Sequence, residues 1–137
     1  EADIPTLQLS LIRGLDPERH LQLGEALRPL LEGNVLIIGS GFSFHNMAAF
    51  SWRPSTAPDP ANDDFQNWLI KATTHADYAD TRRALLNWAQ APSARYCHPR
   101  EEHLLPLMVC AGLAQTPAQV LFDDFILGKR GLAFGWE

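Results

Sequence analysis

From Thr6 to Leu11 apolar and polar residues alternate, with Leu7, Leu9 and Leu11 on one face and Thr6, Gln8 and Ser10 on the other. That period of two predicts a half-buried strand. The period then lengthens. After Asp16-Pro17, a cap residue followed by proline at the first helical position, Leu21, Leu23, Leu27, Leu30 and Leu31 recur at helical spacing with charges between them. A helix is therefore expected over residues 17 to 32, ending near Gly33. Val35-Leu36-Ile37-Ile38 is a continuous apolar run between Gly33-Asn34 and Gly39-Ser40-Gly41, the pattern of a strand buried on both faces. Strand, helix and strand in this order predict a crossover unit of an α/β sheet.

Residues 51 to 63 carry Pro54, Pro58 and Pro60 among small and acidic residues, so they are expected to form a loop and to be the place for local disorder. Asp63 or Asp64 is placed to cap a helix from about Phe65 to Thr74, and Asp77 another from about Tyr78 to Gln90. Pro106 can open a further helix through Leu107, Met108, Val109, Cys110 and Ala111 that ends near Gly112. Residues 119 to 127 and 131 to 134 read as closing strands. The fold class expected is α/β, a mixed β-sheet flanked by helices, with residues 1 to 137 forming one domain.

Composition agrees with a globular domain: 137 residues, 46% hydrophobic and 20% charged. The net charge is -5, and the 11 Lys and Arg are scattered, so no basic stripe exists to hold nucleic-acid phosphates. Cys97 and Cys110 form neither a CxxC pair nor a disulfide framework, which suits a reducing cytoplasm. The longest apolar run falls far short of the ~20 residues of a membrane span. The chain opens at Glu1, directly ahead of a strand-like segment, which reads as a start in mid-fold.

Two segments could carry chemistry. His45 follows the buried run through Gly39-Ser40-Gly41-Phe42-Ser43-Phe44, and the carboxyl end of a sheet strand is where ligand crevices open in such folds. The competing account is a histidine bonded to backbone beside glycines that merely turn the chain. The second segment, His98-Pro99-Arg100-Glu101-Glu102-His103, sets two imidazoles and two carboxylates ahead of an apolar helix. Such a set suits a divalent first-row metal; a charged helix start with Glu101 and Glu102 at its positive end accounts for it equally. His20, on the polar side of its helix, and His75 are expected to be solvated. Phe42, Phe44, Phe50 and Trp52 are expected to pack, although aromatic walls around a catechol would use the same residue types.

Ser40-Gly41-Phe42-Ser43-Phe44-His45-Asn46-Met47 resembles the SGxxxHNL segment, and Pro99 to Leu107 the PxxEHxLPL segment, of the class III extradiol dioxygenases related to DOPA 4,5-dioxygenase. The opening strand and the closing Gly131-Leu132-Ala133-Phe134-Gly135 are similar to that family as well. The resemblance implies one Fe(II) or Zn(II) ion per complete site and a catechol-type substrate that opens beside its diol with O2. It implies His103 as a metal ligand and His45 beside the metal, as ligand or as acid and base toward the catechol. Glu102 and His98 would then support the metal or replace a ligand, and Phe44 and Asn46 would lie at the substrate. The family's N-terminal histidine motifs do not occur here, so the chain reads as the C-terminal half of the catalytic domain. The missing half, a partner chain or a second copy is expected to cover its open sheet edge, with no nucleic acid and no membrane among its partners.

Two other readings stay open. One is a metal-free binding or structural module that keeps an ancestral enzyme's fold, with His45 and His103 apart. The other is a metallohydrolase in which His98, Glu102 and His103 hold zinc by themselves and His45 is dispensable.

Overall fold

The computed structural model describes residues 3–52 and 57–137. Helix α1 covers Pro17–Leu27; Asp16 caps it by accepting from the Arg19 amide, and a 3-10 turn carries the chain on from Arg28 to Glu32. Helix α2 runs over Pro60–Thr73, α3 over Tyr78–Leu86, α4 over Ala94–Cys97 and α5 over Leu105–Ala114. Strands β1, Gln119–Ile126, and β2, Lys129–Gly135, form an antiparallel hairpin. The architecture is mixed α/β, as the alternation of periods implied.

Several boundaries move from the sequence expectation, each for a local reason. Helix α2 begins at Pro60 rather than near Phe65, because the Asp59 carboxylate accepts from the Asn62 amide at 3.2 Å and Pro60 needs no N–H partner. The expected loop over 51 to 63 is therefore shorter, and its residues 53 to 56, Pro54 among them, lie outside the described residues. Helix α5 does not stop at Gly112 but runs on to Ala114, with Gln115 closing it in the left-handed region at φ 57°. Gly112 serves a different purpose. A Cβ there would lie 2.9 Å from the Leu21 carbonyl carbon, and one on Gly24 would lie 2.7 Å from the Leu113 nitrogen. The two glycines let α1 and α5 cross backbone to backbone.

The two leading strands are the main departure. Residues 6 to 11 and 35 to 38 are extended but belong to no ladder among the described residues, whose only sheet is β1 with β2. The run expected to be buried on both faces is open: Leu36 is 83% exposed and Ile38 77%. A strand is held by a neighbour's backbone groups, and none of the described residues supplies them. The core lies elsewhere. Leu21, Phe44, Phe65, Leu69, Leu85, Trp88, Leu104, Leu105 and Met108 pack where α1, α2, α3 and α5 meet behind the Phe42 to His45 segment.

His20 also differs from expectation. It is fully buried, with Nδ1 donating to the Asp16 carbonyl at 2.6 Å and Nε2 accepting from the Ile12 amide at 3.1 Å. The ring ties the leading segment to the start of α1, a role the helical pattern concealed because the partners are backbone groups. His75 is exposed as expected.

Candidate functional site

The segment from Gly39 to His45 runs across the amino end of α5. The Phe42 amide donates to the His103 carbonyl at 3.0 Å, and a Cβ on Gly41 would collide with that carbonyl oxygen. Three residues later the His45 amide donates to the Cys97 carbonyl at 2.8 Å. These contacts lay the two sequence-predicted segments side by side.

The result is a stacked pair of imidazoles. The His45 and His103 rings have centroids 3.4 Å apart and planes inclined by 23°. Glu102 completes the group: one ligand atom from each of His45, Glu102 and His103 can be chosen so that all lie within 4.8 Å of one another, and all three side chains are half-buried. The Glu102 Oε2 atom is buried without a hydrogen bond; Arg100 Nε lies 3.2 Å away, but its N–H is not aimed at that oxygen and its own side chain is 72% exposed. This pairing at the surface neutralises little of the carboxylate. An unbonded carboxylate oxygen beside two imidazoles fits a cation.

The His103 pKa is lowered from 6.5, first by burial and then by the neighbouring His45, with Glu102 opposing. The ring is thus held neutral at neutral pH, with a lone pair free to bind a metal. His103 also lines an apolar cavity of about 630 Å³ whose walls include Ile38, Phe42, Leu107, Phe134 and Trp136.

The remaining expected site residues take other places. His98 is fully buried between Phe65 and Trp88, its Nε2 donating to the Ser43 carbonyl at 2.9 Å, so it stands behind the pair and outside the cluster. A zinc site of His98, Glu102 and His103 without His45 is not the group that converges. Phe44 is fully buried against Phe50 and Tyr96 and offers no open face. Asn46 spends its side chain on backbone, donating to the Tyr96 carbonyl at 2.9 Å and accepting from the Ala48 amide at 3.2 Å.

Sequence reasoning missed the support beneath His45. Gln66, fully buried on α2, donates to the Ser43 carbonyl at 3.0 Å and to the Asn62 Oδ1 at 2.8 Å, while the Ser43 hydroxyl accepts from the Leu132 amide at 2.8 Å. The available signal was two amides one turn apart, Asn62 and Gln66, on the face that carries Phe65 and Leu69.

Fold and site together define a mixed α/β protein with a half-buried His–His–Glu group between a glycine-backed turn and the segment that leads into α5. The family model for the catalytic LigB subunit of aromatic ring-opening dioxygenase matches residues 2–126, and the chain belongs to that family. The similarity to dioxygenase tasH of Hapsidospora irregularis is 36% identity over 99% of this chain and 45% of that protein. With the 4,5-DOPA dioxygenase extradiol of Beta vulgaris it is 38% over 83% of this chain and 41% of the relative. With that of Portulaca grandiflora it is 36% over 97% of this chain and 49% of the relative. The chain therefore spans somewhat less than half the length of these relatives. A crystal structure of an uncharacterized protein from Escherichia coli K12 has the same fold, with a TM-score of 0.74 at 21% identity over 85% of this chain and 48% of that one.

Proposed function

We propose that this chain is the C-terminal half of the catalytic domain of a metal-dependent extradiol dioxygenase that opens catechol-type rings with O2. The observation that carries the proposal is the convergence of His45, Glu102 and His103 within 4.8 Å. The family supplies the reaction class, and relatives named as 4,5-DOPA dioxygenases favour an ortho-diol substrate.

His103 and His45 would hold Fe(II) or Zn(II), with Glu102 as a further ligand or as the charge that favours the bound cation. The ion would supply a template for diol and oxygen and lower the proton affinity of the diol. Where His45 is not itself a ligand, its imidazole would take a diol proton and return it to the opened product. The apolar walls of the cavity beside His103 would exclude water from the ring. Phe44 and Asn46 act on the substrate through the turn they brace.

Upstream sequence, in the same polypeptide or on a partner, would bring the remaining ligands and cover the open strands, and a homo-oligomer is the alternative cover. No helix among the described residues is long and apolar enough to cross a membrane. The unbridged Cys97 and Cys110 suit a cytoplasmic setting.

Metal content and catechol-dependent oxygen uptake, measured after anaerobic Fe(II) addition on this chain and on a protein carrying the upstream region, test the reading. Activity in the longer protein that is lost in both His45→Ala and His103→Ala is the expected result. No bound metal and no turnover in either form would leave a metal-free module as the better account.

A further inference from the structure

A histidine in the aromatic core behind the site calls for an explanation. The His98 ring is fully buried, 5.4 Å from the Phe65 ring and 6.2 Å from that of Trp88, and its Nδ1 has no hydrogen-bond partner. An apolar ring would fill the same space without desolvating a polar atom, and burial depresses the His98 pKa from 6.5 to about 4. What the imidazole adds is one contact, Nε2–H to the Ser43 carbonyl at 2.9 Å. The carbonyl belongs to the turn that ends in His45. The neighbouring residue grips the same turn two positions further on, since the Cys97 carbonyl accepts the His45 amide at 2.8 Å. Gln66 meets the Ser43 carbonyl from the other side at 3.0 Å.

We infer that His98 is a positioning residue that holds the Ser43–His45 turn so that the His45 ring lies against His103. Residues 97 and 98 form a two-point clamp: the backbone of Cys97 takes the amide of His45, and the side chain of His98 takes the carbonyl of Ser43. Its Nε2 is spent on the turn, and the ring stands outside the His45, Glu102 and His103 group. A shift of the turn moves the His45 nitrogens relative to the other two side chains, so the clamp governs how well the three act together. The consequence for metal binding rests on the function proposed above; the consequence for the backbone does not.

The test uses the protein carrying the upstream region, as for the function proposed above. His98→Phe keeps a ring in the pocket and removes the donor, whereas His98→Gln restores an N–H near the position of Nε2. Amide exchange at His45 is read by NMR in the metal-free protein, and Co2+ is titrated with its visible absorption recorded. In His98→Phe, folded by far-UV circular dichroism, the His45 amide should exchange about 10-fold faster. Its Co2+ affinity should fall about 10-fold with an altered spectrum. In His98→Gln both should return to within about 2-fold of the parent. If His98→Phe does not fold, His98→Met fills the space without a donor and is read in the same way. Parent-like exchange in the folded donor-free variant overturns the inference, as does a glutamine variant as perturbed as the phenylalanine one. If exchange responds as stated but the parent itself takes up no Co2+, the clamp stands and the metal function proposed above fails.

Discussion

At the scale of single residues the buried imidazole of His98 makes the chain sensitive to acid. His98 has a folded pKa near 4 against an ordinary 6.5. Between those values the unfolded chain binds a proton that the native chain does not, so stability rises with pH across the window. The contribution is fully present above pH 6.5 and is lost progressively as pH falls toward 4, to an extent of about 3 kcal/mol. Urea denaturation at pH 7 and pH 4.5 should show this loss, and His98→Phe should flatten the dependence; an unchanged slope in that variant would place the acid sensitivity elsewhere. His20 bonds backbone through both of its ring nitrogens. His20→Leu leaves the Ile12 amide and the Asp16 carbonyl without that partner and should cost about 1 to 3 kcal/mol in the same assay.

At the scale of elements, the seam between α1 and α5 and the tip of the hairpin make opposite predictions. Gly112→Ala places a methyl group against the Leu21 carbonyl, where backbone rather than a flexible side chain must yield, and should cost about 1 to 3 kcal/mol with a lower Tm. The hairpin tip holds Leu127 at φ 51° ahead of Gly128 at φ 76°. Asn tolerates the left-handed region better than Leu, so Leu127→Asn should raise stability by about 1 kcal/mol. Helices α1, α2, α3 and α5 and the two closing strands were legible in the sequence because caps such as Asp16 and Asp77 and their apolar spacing act locally, whereas the single turn of α4 carried no such pattern. Both site segments were legible as well, and their likeness to a family's motifs indicated that they belong together. Gln66 and Ser43 were not legible as a pair, because no local pattern shows a side chain reaching a carbonyl 23 residues away. His20 escaped for the same reason, since its partners are backbone groups.

At the scale of the whole molecule, what is exposed is as informative as what is buried. Leu7 is 95% exposed and Leu36 83%, both on extended segments, and β1 is open along its whole length. Apolar side chains on unpaired extended backbone invite another chain. The relatives are about twice as long as this chain, which favours the rest of the same catalytic domain as the cover. Leu36→Ser separates the possibilities because its effect depends on context. In residues 1 to 137 alone the side chain is already in solvent, so the melting midpoint should hold and self-association should fall. In a protein carrying the upstream half the same change should remove a packed side chain, at a cost of about 2 to 5 kcal/mol. Circular dichroism melts and sedimentation of both lengths decide it. A substitution silent in both would mean that this face stays open in the longer protein, and the half-domain reading would fall with it. A substitution costly in the short chain would mean that copies of the chain cover the face for one another.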